Sequence, residues 1–76
     1  MIKIYDPDLI ATRVRFVREQ LARKSVRDFA EDLQTTPPSV RRWECGQAVP
    51  CAYYLFMICS DYNVSANWLL GLSNRR

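Results

Sequence analysis

Histidine is absent from this 76-residue chain, and glycine occurs only twice. So little glycine argues against an all-β fold, which relies on glycine at its many tight turns. The three cysteines form no Cys-x-x-Cys pair, and with an odd count and no signal peptide we expect free thiols in a reducing compartment. Because no histidine accompanies them, we predict neither a metal site nor a cofactor.

Long apolar runs are also missing. The run CAYYLFMIC at residues 51–59 has nine residues, whereas a membrane-spanning helix needs about 20. The chain has no glycine-rich phosphate loop, its acidic residues are scattered singly, and its cysteines have no usual base partner. We therefore predict that the protein neither spans a membrane nor acts as an enzyme on a small-molecule substrate.

Charge is scarce in the second half of the chain, where Asp61 is the only charged residue between Cys51 and Asn74. The segment from Ala11 to Gly46 holds five acidic residues and eight basic ones, namely Arg13, Arg15, Arg18, Arg23, Lys24, Arg27, Arg41 and Arg42. Two interpretations are open. The segment forms a basic face for a polyanion, or it carries the ordinary solubilising charge of exposed helices.

Capping signals divide the chain into five helices. The first, second, third and fifth helices follow the N-cap residues Asp6, Ser25, Thr36 and Ser65. The fourth helix is predicted to begin at Pro50. Apolar residues share one face of the first helix at Ile10, Val14, Val17 and Leu21. We predict an all-α domain at residues 6–72, with residues 1–5 as a candidate extended arm and residues 73–76 as a tail.

The third predicted helix begins with two prolines, in the stretch TTPPSVRRWECG. Proline is tolerated in the first turn because its missing N–H would have no intrahelical partner there. Thr36 is then the N-cap, Val40 and Trp43 face the core, and Gly46 ends the helix in a left-handed conformation.

The fourth predicted helix is apolar nearly all the way round, which favours either a central core helix or a helix shared with a partner chain. In so short a chain, we favour the partner. The candidate dimer-interface residues are Tyr53, Phe56, Met57 and Trp68; the alternative for each is burial in the monomer core.

From Arg13 to Gly71 the chain resembles the phage lambda-repressor and Cro-like (XRE) helix-turn-helix DNA-binding domains. The resemblance rests on SVRDFAEDL, on TT..SVRRWECG followed by Pro50, and on YNVSANWLLG, and it covers about three-quarters of the chain. It implies a five-helix fold whose second and third helices form a helix-turn-helix, the third lying in the DNA major groove.

The resemblance also implies roles for particular residues. Pro37, Pro38 and Arg42 would face the groove, with Thr36, Ser39 and Arg41 beside them; Ser25 and Val26 would offer backbone N–H groups to a phosphate, with Arg27 and Gln47 near the DNA backbone. Arg18 and Glu44 would form a partly buried structural ion pair, the alternative for Arg18 being a surface charge.

The chain departs from the family at three places. Pro37 and Pro38 occupy the first positions of the third helix, where the family commonly has a polar residue that hydrogen-bonds a base, and Val26 occupies a position where the family often has glutamine. Gln34 and Thr35 also replace small and apolar residues of the turn. Proline can offer only apolar contact to a thymine methyl, so direct readout would fall to Arg42 on guanine, while Arg41 and Arg27 serve phosphates. The alternative for Arg42 is a solvated or ion-paired side chain.

The leading hypothesis is a transcriptional regulator, a repressor or Cro-like protein, that binds a palindromic operator in double-stranded DNA as a homodimer. It would act in the cytoplasm of a bacterial or phage-infected cell, associated with the nucleoid. The alternative is a protein–protein interaction module that has the same helix-turn-helix fold but has lost specific DNA binding. In that case Pro37 and Pro38 would line the protein-binding surface. Salt dependence distinguishes the two, since DNA binding weakens steeply with salt.

Overall fold

The computed structural model describes residues 4–76, which are all-helical and contain no strand. The elements are α1 (Pro7–Phe16), a π-helical segment (Val17–Ala22), α2 (Val26–Asp32), α3 (Pro37–Glu44), α4 (Ala52–Tyr62) and α5 (Ala66–Leu69). The predicted all-α class is confirmed. Part of the predicted arm, residues 1–3, lies outside the described residues, whereas Ile4 and Tyr5 are exposed.

Four helices begin at the predicted caps. Asp6 Oδ1 accepts hydrogen bonds from the N–H groups of Asp8 and Leu9, at 3.0 and 3.2 Å. The hydroxyls of the other three N-caps, Ser25, Thr36 and Ser65, each accept from the N–H three residues on. The prediction for the fourth helix was two residues early, because Cys51 is extended with ψ of 170° and helical angles begin only at Ala52.

The π-helical segment changes which residues of the first helix face the core. In a π-helix the residue five positions on, not four, lies over residue i. Val17 is therefore followed on the buried face by Ala22, which packs against the core, while Leu21 turns outward and is 38% exposed. Leu21 was predicted on the buried face and is not there, since the prediction assumed α-helical spacing throughout.

Helices α2, α3 and α5 end in the same way, with a left-handed residue after the C-cap. Gly46 and Gly71 have φ of 80° and 85°, whereas the corresponding residue after α2 is Gln34, with φ of 59°. In each case the next N–H reaches back to a carbonyl five residues earlier, as from Thr35 to Ala30 at 2.9 Å. A glutamine in this conformation is uncommon, because its Cβ crowds the backbone.

One hydrophobic core joins all the helices. Its buried residues are Ile10, Val14, Val17, Phe29, Ala30, Leu33, Val40, Trp43, Ile58, Val64, Trp68 and Leu69. Within it, Phe16 meets Trp68 edge-on at 5.9 Å between ring centroids, and Phe29 stacks on Tyr62 at 5.5 Å. No helix among residues 4–76 has the length and apolar character needed to cross a bilayer.

Candidate nucleic-acid interface

Helices α2 and α3 are joined by residues 33–36 and pack against each other, while α3 also packs on α1. Leu33 is buried at the start of the connection, and Thr36 at its end caps α3. Thr36 Oγ1 lies 3.4 Å from the Ser39 N–H that it accepts from, and 3.0 Å from the Ser39 hydroxyl. Both hydroxyls of the first turn of α3 are therefore engaged with each other.

The exposed face of α3 consists of Pro38, Arg41 and Arg42. These side chains are neighbours because residues three and four apart share a helix face. Val40 and Trp43 point to the core on the opposite side. We define Pro38, Arg41 and Arg42 as the α3 face. Of the predicted groove-facing residues, Pro38 and Arg42 are exposed on it.

The two remaining residues predicted at the start of α3 are less accessible. Pro37 is half-buried between the α3 face and the core, and Ser39 is half-buried as well. Arg41, predicted only beside the groove, is as fully on the α3 face as Arg42. Helical spacing therefore places both Arg41 and Arg42 beside Pro38.

Four of the eight basic residues between Ala11 and Gly46 are held by the protein itself. Arg15 pairs with Glu19 at 3.3 Å, and Lys24 pairs with Asp32. Arg13 lies 5.0 Å over the Trp68 ring and donates to the carbonyl oxygens of Trp68 and Ser73. The fourth is Arg18, which is paired with Glu44.

The other four are exposed and have no ion pair or side-chain hydrogen bond within residues 4–76: Arg23, Arg27, Arg41 and Arg42. Three of these four lie on α2 or α3. Asp28 and Glu31 are also exposed on α2, so its surface is mixed in charge. The α3 face carries cations only, which makes it the most favourable place on this helix pair for an anionic ligand.

The start of α2 adds backbone donors. Ser25 Oγ accepts from the Asp28 N–H at 3.1 Å, but the N–H groups of Val26 and Arg27 have no intrahelical acceptor, as at any helix start. The side chain of Arg27 is exposed beside them, while that of Val26 is half-buried. Ser25, Val26 and Arg27 therefore place two N–H groups and one guanidinium within a single turn.

The ion pair between Arg18 and Glu44 connects the π-helical segment to the end of α3. Both side chains are largely buried, with 12% and 10% of their surface exposed. Arg18 Nη1 also donates to the Lys24 carbonyl at 3.0 Å, which ties down the link that leads to α2. The hydrogen bond that Arg18 donates to the Glu44 carboxylate raises the pKa of Arg18 above its ordinary value, against the opposing effect of burial.

The loop after α3 is held close to α1. The Gln47 N–H donates to the Arg42 carbonyl at 3.0 Å, and the Gln47 side chain is exposed. Gly46 has φ of 80°, which favours glycine, and a Cβ there would lie 2.8 Å from an oxygen of the exposed Asp8 carboxylate, which would have to move. Gln47 thus lies near Arg42 on a defined loop.

The predicted dimer residues divide into two groups. Phe56 and Tyr53 are 66% and 52% exposed on one face of α4, with Met57 half-buried at its edge. Trp68 is instead only 7% exposed, because Phe16 and Arg13 cover its ring within the same chain. This burial corrects the assignment of Trp68 to a dimer interface: the ring is part of the monomer core.

Sequence reasoning missed the role of Arg13, which was counted with the basic face. It joins α1 to α5 and to the tail, where Nη2 also reaches Asn74 Oδ1 at 3.1 Å. The guanidinium of Arg76 lies 5.0 Å over the Phe16 ring in a similar way. No sequence signal distinguished these arginines from the free ones, because the distinction depends on contacts more than 50 residues apart.

Comparison of the chain with protein-family models, with curated proteins and with solved structures finds no match. Within residues 4–76, no three His, Cys, Asp or Glu side chains come together as a metal site would require.

Proposed function

We propose that this protein is a sequence-specific regulator that binds double-stranded DNA through a lambda-repressor-like helix-turn-helix, with α2 and α3 as its two helices. The observation that carries the proposal is the division of the cations. Arg27, Arg41 and Arg42 are exposed and unpaired within residues 4–76, whereas Arg13, Arg15 and Arg18 are held by intramolecular partners. Of the four basic residues between Ala11 and Gly46 that are unpaired within residues 4–76, only Arg23 lies outside this helix pair, and this distribution favours a basic face over merely solubilising charge.

Each part of the helix pair has a role in this proposal. α3 enters the major groove with Pro38 and Arg42 toward the base edges. Arg42 donates to guanine O6 and N7, a contact that discriminates by about 1–3 kcal/mol. Arg41 and Arg27 neutralise phosphates, and the N–H groups of Val26 and Arg27 donate to a phosphate at the start of α2.

The buried ion pair supports this arrangement without touching DNA. A reading helix must hold its angle to the rest of the domain, because base contacts depend on side-chain placement within about 0.5 Å. Glu44 lies at the end of α3, and Arg18 fixes it to the π-helical segment by two hydrogen bonds of 2.6 and 2.9 Å. Glu44 is therefore a structural residue in this account.

Two copies of the chain would bind one operator. Two-fold related reading helices enter successive major grooves when they are about 34 Å apart, one turn of DNA. The uncharged face of α4 with Tyr53 and Phe56 is the candidate dimer contact, since exposed aromatic residues in an uncharged patch are typical of interaction sites.

The test is selection of bound sequences from a pool of random duplex DNA, for the native chain, Arg42→Ala and Arg15→Ala. We expect a palindromic motif for the native chain and for Arg15→Ala, and loss of guanine preference at one position per half-site for Arg42→Ala. If a folded native chain enriches no sequence at low salt, the proposal is wrong, and the protein–protein interaction module becomes the better account.

A further inference from the structure

The first turn of α3 offers no hydrogen-bond donor from its backbone. Pro37 and Pro38 have no N–H, and the Ser39 N–H donates to Thr36 Oγ1. The next N–H, that of Val40, donates to the Thr36 carbonyl at 3.2 Å. This end of the helix therefore cannot bind a phosphate through its N–H groups, as helix starts commonly do.

The α3 face also lacks a carboxylate or carboxamide. Its polar groups are the guanidinium groups of Arg41 and Arg42, which only donate. Glu44, the single acid of α3, is turned away and held by Arg18. Between the two arginines lies the exposed ring of Pro38, which is apolar. The α3 face therefore presents two donors beside an apolar surface.

This combination is selective among base pairs. Guanine presents two acceptors in the major groove, which match an arginine, and thymine presents a methyl group, which matches an apolar ring. The amino groups of adenine and cytosine require an acceptor, which Pro38, Arg41 and Arg42 do not provide; the exposed Gln47 carboxamide near Arg42 lies on the following loop and not on the α3 face. We infer that α3 recognises a pyrimidine bearing a C5-methyl group, next to a guanine, with Pro38 on the methyl and an arginine on the guanine.

This inference rests on the proposed function, and it names the chemical feature that the α3 face reads. Thymine and 5-methylcytosine both carry the methyl group, so the recognised chemistry is shared between them. The DNA sequence of the bound site determines whether thymine or 5-methylcytosine supplies the methyl group.

The experiment starts from the selected operator and changes the DNA alone. Each thymine of the half-site is replaced by deoxyuridine, which removes only the methyl group. We expect one position at which binding weakens about three- to fivefold, as for loss of one buried methyl. At that position a 5-methylcytosine–guanine pair should bind better than an unmethylated cytosine–guanine pair by a similar factor, because both methyl groups occupy the same place in the major groove.

The protein side of the experiment uses two substitutions at the same position. Pro38→Ser is expected to bind the thymine and deoxyuridine duplexes equally, because the apolar contact is gone. Pro38→Ala adds an N–H but keeps an apolar side chain, so part of the preference for the methyl should remain. Circular dichroism on both variants checks that α3 still folds.

The outcomes separate the two proposals. A selected site that binds equally with and without every thymine methyl overturns the inference and leaves the proposed function standing. A preference for the methyl that persists unchanged in Pro38→Ser also overturns it, since another residue then makes the contact. If no site is selected at all, the proposed function fails, and the inference fails with it.

Discussion

Arg18 and Glu44, 26 residues apart in the chain, meet through two hydrogen bonds, with Nε 2.6 Å from Oε2 and Nη2 2.9 Å from Oε1. The pair joins the π-helical segment to the last residue of α3. Glu19 Oε2 lies 3.7 Å from Arg18 Nη2, the nitrogen that also donates to Glu44 Oε1. The proposed reading helix is thus attached to the domain at the end farthest from its prolines.

Breaking this pair is expected to destabilise the fold. Glu44→Gln removes the closer carboxylate from the largely buried Arg18 guanidinium and leaves only the more exposed Glu19 beside it, and such a loss costs about 3 kcal/mol in free energy of unfolding. Urea denaturation followed by tryptophan fluorescence measures the change. Arg15→Gln is the matched control, because the pair of Arg15 and Glu19 is exposed and should contribute less than about 1 kcal/mol. Equal effects of the two variants would contradict the structural role of the buried pair.

Gln34→Gly is expected to stabilise the protein. Gln34 has φ of 59°, where a side chain is disfavoured and glycine is not. Relief of that strain, less the greater freedom of glycine in the unfolded chain, should raise the free energy of unfolding by about 0.5–1 kcal/mol. Thermal and urea denaturation test this, with Gln47→Gly as the control, since φ at Gln47 is not positive. A gain from Gln47→Gly as large as that from Gln34→Gly would show that left-handed strain is not the cause.

Much of the fold could be predicted from local signals. The caps at Asp6, Ser25, Thr36 and Ser65 specify their helices within a few residues of sequence, because each side chain bonds to a nearby N–H. The π-helical segment could not be predicted, because no residue type in the sequence signals the change from a four-residue to a five-residue hydrogen-bond spacing within the helix. Its consequence is the exposure of Leu21 in place of Ala22.

The candidate site was predictable only in part. The resemblance gave the region and implied that Pro38 and Arg42 face the groove, and both are exposed on the α3 face. The pair of Arg18 with Glu44 was predicted from the resemblance. The sequence did not separate the remaining free arginines from the held ones, because Arg13 finds its partners in distant elements. Nor did it assign Trp68 to the core, where α1 covers it. Both distinctions require tertiary contacts.

Phe56→Glu tests the α4 surface. The native chain is expected to dimerise with rising concentration, and a charge at Phe56 should leave it monomeric, because a carboxylate in an apolar contact loses its hydration. Sedimentation equilibrium measures this. Since Phe56 is 66% exposed, the monomer should keep its stability within about 0.5 kcal/mol. Thr12→Glu, which adds the same charge at an exposed position of α1, should still dimerise; a native chain that stays monomeric at high concentration would rule the interface out.

Cys59 is expected to be the least reactive of the three thiols. Burial raises the pKa of its thiol, whereas Cys45 and Cys51 are exposed. Iodoacetamide at about pH 8.5 should therefore modify Cys45 and Cys51 well before Cys59, because the thiolate is the reactive form. The pKa of the Cys59 thiol is higher in the folded than in the unfolded protein. Its contribution to the free energy of unfolding is therefore fully present below the unfolded pKa, and it is lost as pH rises through the folded pKa. Peptide mapping gives the three rates, and a Cys59 rate equal to the others would contradict its burial.

The salt dependence of binding to a selected duplex tests the central claim, that the free arginines and not the held ones contact DNA. The logarithm of the binding constant should fall linearly with the logarithm of salt concentration, by about 0.9 per neutralised phosphate. Arg27→Gln should make that slope shallower by roughly 0.9, while Arg15→Gln leaves it unchanged. A slope near zero for the native chain, or the same slope for both variants and the native chain, would contradict the account.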